Sequence, residues 1–141
     1  MASSFYRTDS RIDAGAATLH VEETGDGAPA LVFLHYWGGS TRTWRLVIDR
    51  LASSARCVAI DQRGWGLSSA PATGYTIGDL AADARGVITT LGLSDYILVG
   101  HSMGGKVAQL LASQRPHGLR GLVLVAPAPA KPALIPDAVR M

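Results

Sequence analysis

The stretch ILVGHSMGGKV, residues 97–107, decides how this chain is organised. Its apolar first half is typical of a buried strand, and a helix is predicted to begin near Met103. Gly100, Ser102 and Gly104 form the pattern G-x-S-x-G, a sharp strand-to-helix turn that presents its serine above the edge of a sheet. Glycine is needed at the flanking positions because a larger side chain would collide with the neighbouring backbone. The pattern makes Ser102 a candidate nucleophile.

The same stretch also matches part of a phosphate-binding loop. Gly100, Gly105 and Lys106 fit the pattern G-x-x-x-x-G-K-[ST] between a strand and a helix. The last position is Val107, which has no hydroxyl to bind a magnesium ion, and the strand that ends at Val125 is not followed by an aspartate. A P-loop nucleotide-binding protein is therefore the weaker interpretation. A glycine-rich turn with an inert serine is a further alternative.

Strands and helices are predicted to alternate along most of the chain. Residues 17–22 alternate apolar and polar side chains, and an antiparallel start is expected there. Apolar runs and amphipathic segments then predict strands at 30–34, 57–60, 96–99 and 119–125, and helices at 41–51, 76–91 and 103–115. This order predicts an α/β fold, a mostly parallel sheet with helices on both faces. Ligands in such sheets bind at the edge where the parallel strands end.

Two of the predicted helices carry specific signals. In the first, apolar residues recur at helical spacing and predict one buried stripe, at Trp44, Val47, Ile48 and Leu51. The second begins after Thr76, and Asp79 follows three residues later, as in a capping box. Gly92 fits the position just past the end of that helix.

The composition is that of a globular domain without a charged interaction surface. Of the 141 residues, 48% are hydrophobic and 17% are charged, and the formal net charge is +2 with no basic run. We expect no nucleic-acid partner and no membrane association. The lone Cys57 lies in an apolar run and is predicted to be a core residue, and no metal or organic cofactor is implied. Without an apolar signal region, the default expectation is a cytoplasmic protein.

Three segments together resemble the α/β-hydrolase fold family. The G-H-S-M-G-G turn at 100–105 is a common form of its nucleophile elbow. Residues 34–37, Leu-His-Tyr-Trp, are similar to its oxyanion loop His-Gly-X, and residues 61–68 are similar to its loop D-x-R-G-x-G-x-S. The resemblance spans about residues 19–125, with all three motifs in the family's order. It implies a serine hydrolase that cleaves an ester or related acyl bond in a small-molecule substrate.

The resemblance also implies roles for individual residues. Ser102 would attack the substrate carbonyl, and the backbone N–H groups of Met103 and Trp37 would hold the oxyanion. Tyr36 stands where the family usually has glycine, so this loop is expected to have a different shape. Tyr36, Trp37, Trp65 and Met103 could line a substrate pocket, although the two tryptophans could equally pack their loops onto the sheet. A non-catalytic ligand receptor on the same fold is the alternative function.

None of the four histidines is expected to be the base for Ser102. His101 is adjacent and turned away by the elbow, and His117 follows a helix that would place it about 20 Å from the serine. His20 is assigned to the polar face of a strand near the sheet edge. His35 is closest to the site and is kept as a minority alternative for the base, but the resemblance gives it a supporting role in the loop.

The base and acid of a catalytic triad are therefore expected outside this chain. The family order is serine, acid and histidine, yet Asp137 is the only carboxylate after Ser102 and no histidine follows His117. The apolar run 122–125 is typical of a central strand, and a bare apolar edge would promote aggregation. Residues 1–141 are therefore expected to form the N-terminal part of one hydrolase core domain. The remaining strands and a lid would lie in further polypeptide.

Overall fold

The computed structural model describes residues 5–132, which form a six-stranded sheet flanked by helices. Within these residues, no helix is both long enough and apolar enough to cross a membrane. A short 3-10 helix, Thr41–Trp44, runs directly into the first α-helix. The elements are β1 (Arg7–Asp13), β2 (Thr18–Thr24), β3 (Ala30–Leu34), α1 (Arg45–Leu51), β4 (Cys57–Ile60), α2 (Ile77–Thr90), β5 (Tyr96–His101), α3 (Met103–Ser113) and β6 (Leu119–Val125).

The sheet is mostly parallel, as the alternation of elements predicts. Its strand order is β1-β2-β4-β3-β5-β6. The first two strands run antiparallel to their neighbours, whereas β4, β3, β5 and β6 are parallel to one another. The carboxyl ends of these four strands therefore share one edge of the sheet, and the loops that follow β3, β4 and β5 carry the three recognised motifs.

Helices cover both faces of the sheet, so the predicted α/β class is confirmed. On β3, Val32 and Leu34 face a large apolar cluster beneath α2 and α3, whereas Phe33 faces a smaller cluster beneath the 3-10 helix and α1. This alternation follows the two-residue period of a strand. Cys57 belongs to the smaller cluster, where burial raises the pKa of its thiol to about 11. It is a buried core residue, as expected.

The first helical segment differs from its prediction in two ways. It begins as a 3-10 helix and becomes α-helical only at Arg45. The predicted apolar stripe is half wrong, because only Trp44 and Ile48 are buried while Val47 and Leu51 are 42% and 36% exposed. The cluster on this face is small, and Trp44 and Ile48 are the residues of the stripe that belong to it.

The second helix has the predicted ends. The Thr76 side chain accepts a hydrogen bond from the Asp79 N–H at 3.1 Å, and the Asp79 carboxylate accepts one from the Thr76 N–H at 3.0 Å. These reciprocal bonds satisfy two backbone donors that the first turn leaves free. Gly92 follows the helix with φ +63°, a conformation that glycine adopts at little cost.

The last described strand is apolar and exposed. Leu122, Val123, Leu124 and Val125 are 37–47% exposed, and β6 pairs only with β5 in the part of the chain that the structure describes. Side chains on both faces of this edge strand are therefore uncovered within residues 5–132. Asp137 lies outside the described residues.

Candidate functional site

Ser102 lies at the tip of a strained turn between β5 and α3. Its backbone has φ +52° and ψ −113°, a region that residues with a side chain rarely occupy. The N–H of Ser102 donates to the carbonyl of Val125 at 3.2 Å, and its carbonyl accepts from the N–H groups of Lys106 and Ala128 at 3.1 and 2.9 Å. The Ser102 side chain makes no capping bond to α3. The backbone is thus fixed from three sides, and the hydroxyl is left available.

The flanking glycines allow the turn to close. A Cβ atom at Gly100 would lie 2.6 Å from the Cα of Gly105, and one at Gly104 would lie 2.6 Å from the carbonyl oxygen of His35. Both distances are far inside van der Waals contact, so no side chain fits at either position. The close approach at Gly104 brings the N-terminus of α3 against the end of β3. The elbow and the loop after β3 therefore meet at one point.

The loop after β3 forms a tight turn over residues 36–39. The N–H of Gly39 donates to the carbonyl of Tyr36 at 2.9 Å, and Gly38 has φ +79°, which is typical of the third position of a type II turn. Tyr36 is not among the described residues with positive φ. The turn uses the N–H of Gly39 and leaves that of Trp37 outside its hydrogen bond. The positive φ of this turn therefore falls at Gly38 and not at Tyr36.

His35 braces this loop and has no free ring nitrogen. Its Nε2 accepts a hydrogen bond from the N–H of Gln62 at 3.0 Å, which requires the proton to be on Nδ1. Nδ1 then donates to the carbonyl of Tyr36 at 2.7 Å. Burial lowers the pKa of His35 and outweighs the opposing effects of the Tyr36 carbonyl and the Asp61 charge. His35 is therefore a neutral support for the loop.

Aromatic side chains cluster in the loops after β3 and β4. The rings of Trp37 and Trp65 meet edge to face with centroids 5.1 Å apart, and Trp65 also contacts the ring of His35. Trp37 is 73% exposed, whereas Trp65 is half-buried and packs against the larger cluster. Tyr36 stacks edge-on against His101 at 5.3 Å. Trp65 therefore packs its loop, while Trp37 and Tyr36 present apolar surface near the motif loops.

Met103, the first residue of α3, contributes its backbone rather than its side chain to the candidate site. Its side chain is 9% exposed and packs in the larger cluster. Its backbone N–H lies in the first turn of the helix, where no intrahelical acceptor exists. Its position thus provides a backbone donor immediately after Ser102.

The loop 61–68 is held by buried charges. Arg63 donates to both carboxylate oxygens of Asp83 on α2 at 2.6 Å, and its guanidinium also donates to the carbonyl of Gly74. Arg63 and Asp83 are each 3% exposed. The bond to Asp83 raises the pKa of Arg63. Arg63 therefore fixes this loop to α2 through a buried ion pair.

The sequence analysis did not predict the buried environment of His20. It is 5% exposed rather than on a solvated face, with Nδ1 2.8 Å from Asp61 Oδ2 and Nε2 2.6 Å from Asp9 Oδ1. Burial alone lowers the pKa of His20, but the hydrogen bonds and charges of the two carboxylates outweigh it and raise the pKa above 6.5. The alternation of β2 gives no signal for this contact, because Asp61 is 41 residues away.

One group of side chains could in principle hold a metal ion. Ligand atoms of Asp9, His20 and Glu22 lie within 4.8 Å of one another. However, Glu22 is paired with Arg45 at 3.0 Å and lies 3.5 Å from the Nε of Arg7. These arginines already neutralise the carboxylate, so the cluster is an ion-pair network in this structure.

Within residues 5–132, no histidine is placed as a base for Ser102. His20 and His35 have both ring nitrogens bonded. The ring of His101 packs edge-on against Tyr36 and Trp44, on the other side of the sheet from α3. His117 is exposed beyond the far end of α3.

The turn does not have the features of a phosphate loop. Val107, at the position of the magnesium-binding hydroxyl, is fully buried in the larger cluster. Lys106 lies beside Gln109 in a separate surface cavity between α2 and α3. Neither residue is arranged to bind a nucleotide phosphate with its metal ion.

Several hydrolases are among the known proteins to which the chain is similar. The chain is 38% identical to 2-(acetamidomethylene)succinate hydrolase of Mesorhizobium japonicum over 115 residues, which are 82% of this chain and 41% of the relative. It is 40% identical to epoxide hydrolase 1 of Caenorhabditis elegans over 108 residues, covering 74% of this chain and 27% of the relative. The chain therefore spans less than half the length of these relatives.

Solved structures agree with this result. The ligand-free epoxide hydrolase CorEH superposes with a TM-score of 0.82 and 31% identity, covering 86% of this chain and 43% of that structure. The esterase EaEST from Exiguobacterium antarcticum gives a TM-score of 0.80 and 32% identity over 85% of this chain and 46% of its own. A model of the alpha/beta hydrolase fold matches residues 29–141. The elbow, the two supporting loops and these similarities show that the chain belongs to the alpha/beta hydrolase fold family.

Proposed function

We propose that this chain provides the nucleophile and the oxyanion hole of a serine hydrolase that cleaves an ester or related acyl bond. The observation that carries the proposal is the strained backbone of Ser102, φ +52°, at the junction of β5 and α3. Strain of this kind costs about 1–3 kcal/mol and persists where a function requires it. Here it supports a half-buried serine whose hydroxyl makes no capping bond to α3.

The environment of Ser102 suits a developing oxyanion. The serine precedes the N-terminus of α3, where free N–H groups and the helix dipole favour negative charge. Met103 supplies one N–H in the first turn, and the Trp37 N–H lies in the loop that closes against Gly104. In this proposal, Ser102 Oγ attacks the acyl carbon while these two donors bind the oxyanion. The leaving group departs, and water then hydrolyses the ester formed on Ser102.

A serine at the elbow favours acyl substrates over epoxides. Attack of a hydroxyl on an epoxide carbon would form an alkyl ether, which has no carbonyl for water to attack and would not be released. Attack on a carbonyl forms an ester that water can cleave. The epoxide hydrolases among the relatives are therefore weaker guides to the substrate than the esterase and the acetamidomethylene succinate hydrolase. Tyr36, Trp37 and Trp65 are proposed to contact the apolar part of the substrate.

The triad acid and histidine are proposed to come from polypeptide outside this chain. The four histidines within residues 5–132 are engaged elsewhere or distant. The apolar residues 122–125 of β6 are exposed on both faces, as an interior strand would be without its neighbours. The relatives are more than twice as long as the matched region. Further strands that pair with β6 would cover this edge and could bring an imidazole to Ser102.

The simplest experiment is labelling with a fluorophosphonate probe, which reacts with activated serines. We expect the full-length polypeptide that carries this chain to be labelled, and Ser102→Ala to abolish labelling. Ser113→Ala, at the exposed end of the same helix, should leave labelling unchanged. A folded full-length protein that is not labelled would instead support the ligand receptor. Ester hydrolysis by residues 1–141 alone, dependent on Ser102, would contradict an external base.

We further propose a small-molecule substrate and a cytoplasmic location. The single cysteine, Cys57, is buried and free, as is usual in a reducing compartment. Cell fractionation with an antibody against the protein tests this location, and recovery in a secreted or membrane fraction would contradict it.

A further inference from the structure

A buried imidazole links two carboxylates between β1, β2 and the loop after β4. Asp9 lies on one side of His20 at 2.6 Å and Asp61 lies on the other at 2.8 Å. A neutral imidazole has one N–H, whereas an ionised carboxylate only accepts hydrogen bonds. Two carboxylate partners therefore require both ring nitrogens of His20 to carry protons. His20 is held as an imidazolium, and it joins β1 to the loop after β4.

Asp61 is the point at which three segments meet. Besides the bond from His20, its carboxylate accepts the N–H of Thr41 at 2.7 Å and the N–H of Leu67 at 2.9 Å. Asp61 is 2% exposed, so these donors provide the solvation that burial removes. The loop is wrapped tightly around the carboxylate, since a Cβ at Gly66 would lie 2.5 Å from Asp61 Oδ1.

Both backbone donors belong to loops of the candidate site. Thr41 begins the 3-10 helix directly after the turn that carries Trp37. Leu67 is two residues from Trp65, whose ring contacts that of Trp37. We propose that His20, clamped between Asp9 and Asp61, is a positioning residue that fixes the oxyanion loop and the Trp65 loop relative to each other. The catalytic part of this inference rests on the proposed function of Ser102.

Three arginines and a further carboxylate lie around His20. Arg42 and Arg45, from the 3-10 helix and α1, line the same cleft together with Glu22 of β2. Arg11 of β1 donates to the carbonyl of Leu67 at 2.8 Å. Histidine is the side chain whose ordinary pKa places its change of charge between pH 5 and 8. His20 is therefore the titrating group of this cluster in that range.

Loss of the His20 proton would weaken the clamp. A neutral imidazole can donate to Asp9 or to Asp61 but not to both, so one carboxylate would face a lone pair. If the freed carboxylate is Asp61, its remaining donors are the two loop amides. The expected consequence is looser loops at alkaline pH, with the midpoint at the folded-state pKa of His20.

The first test does not depend on catalysis. In the full-length protein, ¹⁵N-detected histidine NMR should show both His20 nitrogens protonated at pH 7. Hydrogen exchange of the Thr41 and Leu67 amides should accelerate at least tenfold in His20→Gln, while the amide of Leu31, which donates to Arg56, stays unchanged. Asp9→Asn, which removes the more exposed partner, should accelerate exchange less. A neutral His20 at pH 7, or unchanged exchange in folded His20→Gln, would overturn the proposal.

The second test asks whether the clamp affects Ser102. The fluorophosphonate labelling rate of the wild type should fall on the alkaline side with the midpoint that NMR gives for His20. The labelling rate of His20→Gln should not show this alkaline decrease. His20→Gln should also be labelled roughly 10- to 100-fold more slowly than the wild type, as expected for a small misplacement of site groups. Glu23→Gln on the same strand, paired with Arg56 away from the site, is the matched control and should keep the wild-type profile.

The outcomes of the two tests can be separated. An unchanged pH profile in folded His20→Gln would contradict a role in positioning the site. If the wild type is not labelled at all, the proposed function fails, whereas the NMR and exchange measurements still decide whether the clamp exists.

Discussion

The N–H of Gln62 donates to His35 Nε2 at 3.0 Å, and the Gln62 side-chain amide also donates to the His35 carbonyl at 2.9 Å. These two bonds from Gln62 to His35 join the loop after β4 to the loop after β3. The first bond also fixes the tautomer of a fully buried imidazole, because Nε2 must carry a lone pair. The loop that bears Trp37 is therefore supported by a histidine whose proton cannot move without breaking a buried contact.

This support gives the stability a specific pH dependence. Burial lowers the folded-state pKa of His35 below its unfolded value near 6.5, so the unfolded chain binds the extra proton first as pH falls. The stabilisation by His35 is complete above pH 6.5 and is lost on acidification toward the folded pKa. His35→Ala should cost about 1–3 kcal/mol at pH 8, because the Gln62 N–H is left buried without an acceptor. The cost should be smaller at pH 5.

Chemical denaturation at the two pH values measures this difference. His20 titrates with the opposite sign, since its raised pKa stabilises the fold at low pH and loses that effect as pH rises. That contribution is common to wild type and variant and cancels in the comparison. The exposed His117 provides the control, and His117→Ala should show the same small effect at both pH values. An equal cost of His35→Ala at pH 5 and pH 8 would contradict the assignment.

A methyl group at Gly104 should disrupt the junction of α3 and β3. Its Cβ would lie 2.6 Å from the carbonyl oxygen of His35, and backbone on both sides would have to move. We expect Gly104→Ala to destabilise the protein by about 1–3 kcal/mol or more, as overpacking does. Gly78→Ala in α2, where the nearest atom would be 3.6 Å away, should be neutral or stabilising by up to about 1 kcal/mol. Thermal unfolding of both variants tests the contrast, and equal melting temperatures would refute it.

The buried pair of Arg63 and Asp83 should matter far more than an exposed one. Asp83→Asn leaves the guanidinium buried without a counter-charge, and we expect a loss of about 3–5 kcal/mol. Asp95→Asn removes the partner of Arg120, whose side chain is 60% exposed, and should cost no more than about 1 kcal/mol. Denaturant unfolding measures both free energies. A loss below 1 kcal/mol for Asp83→Asn would show that the loop 61–68 is held by other contacts.

Local patterns in the sequence predict the fold well. Alternating apolar runs and amphipathic segments are enough to place most strands, because the signal lies within a few residues. The elbow is equally local, since Gly100 and Gly104 flank Ser102 in a fixed pattern. The exposure of Val47 and Leu51 could not be predicted in this way. The spacing of apolar residues in a helix does not indicate how much sheet surface is available to cover them.

The charged contacts could not be predicted in the same way. His20 reaches Asp61 only because β2 lies beside β4, an order that skips β3. Likewise Arg63 meets Asp83 through the packing of α2 on the sheet. Both contacts depend on strand order and register rather than on neighbouring residues. Contacts that depend on the pairing of distant segments therefore cannot be predicted from local sequence patterns, whereas the candidate nucleophile can.

The strain at Ser102 can be measured directly. At φ +52°, glycine is tolerated far better than any residue with a Cβ, so Ser102→Gly relieves strain that Ser102→Ala retains. After subtraction of the extra freedom that glycine gives the unfolded chain, we expect Ser102→Gly to be more stable than Ser102→Ala by about 1 kcal/mol. Both variants lack the hydroxyl and should not react with a fluorophosphonate.

Ser113, in the last turn of α3, provides the matched comparison with the opposite sign. Glycine is unfavourable in a helix, so Ser113→Gly should be less stable than Ser113→Ala by about 0.5–1 kcal/mol. Denaturant unfolding of the four variants therefore gives two differences that must point in opposite directions. If glycine is the less stable residue at both positions, the turn at Ser102 is not strained, and the main support for a nucleophile there is removed.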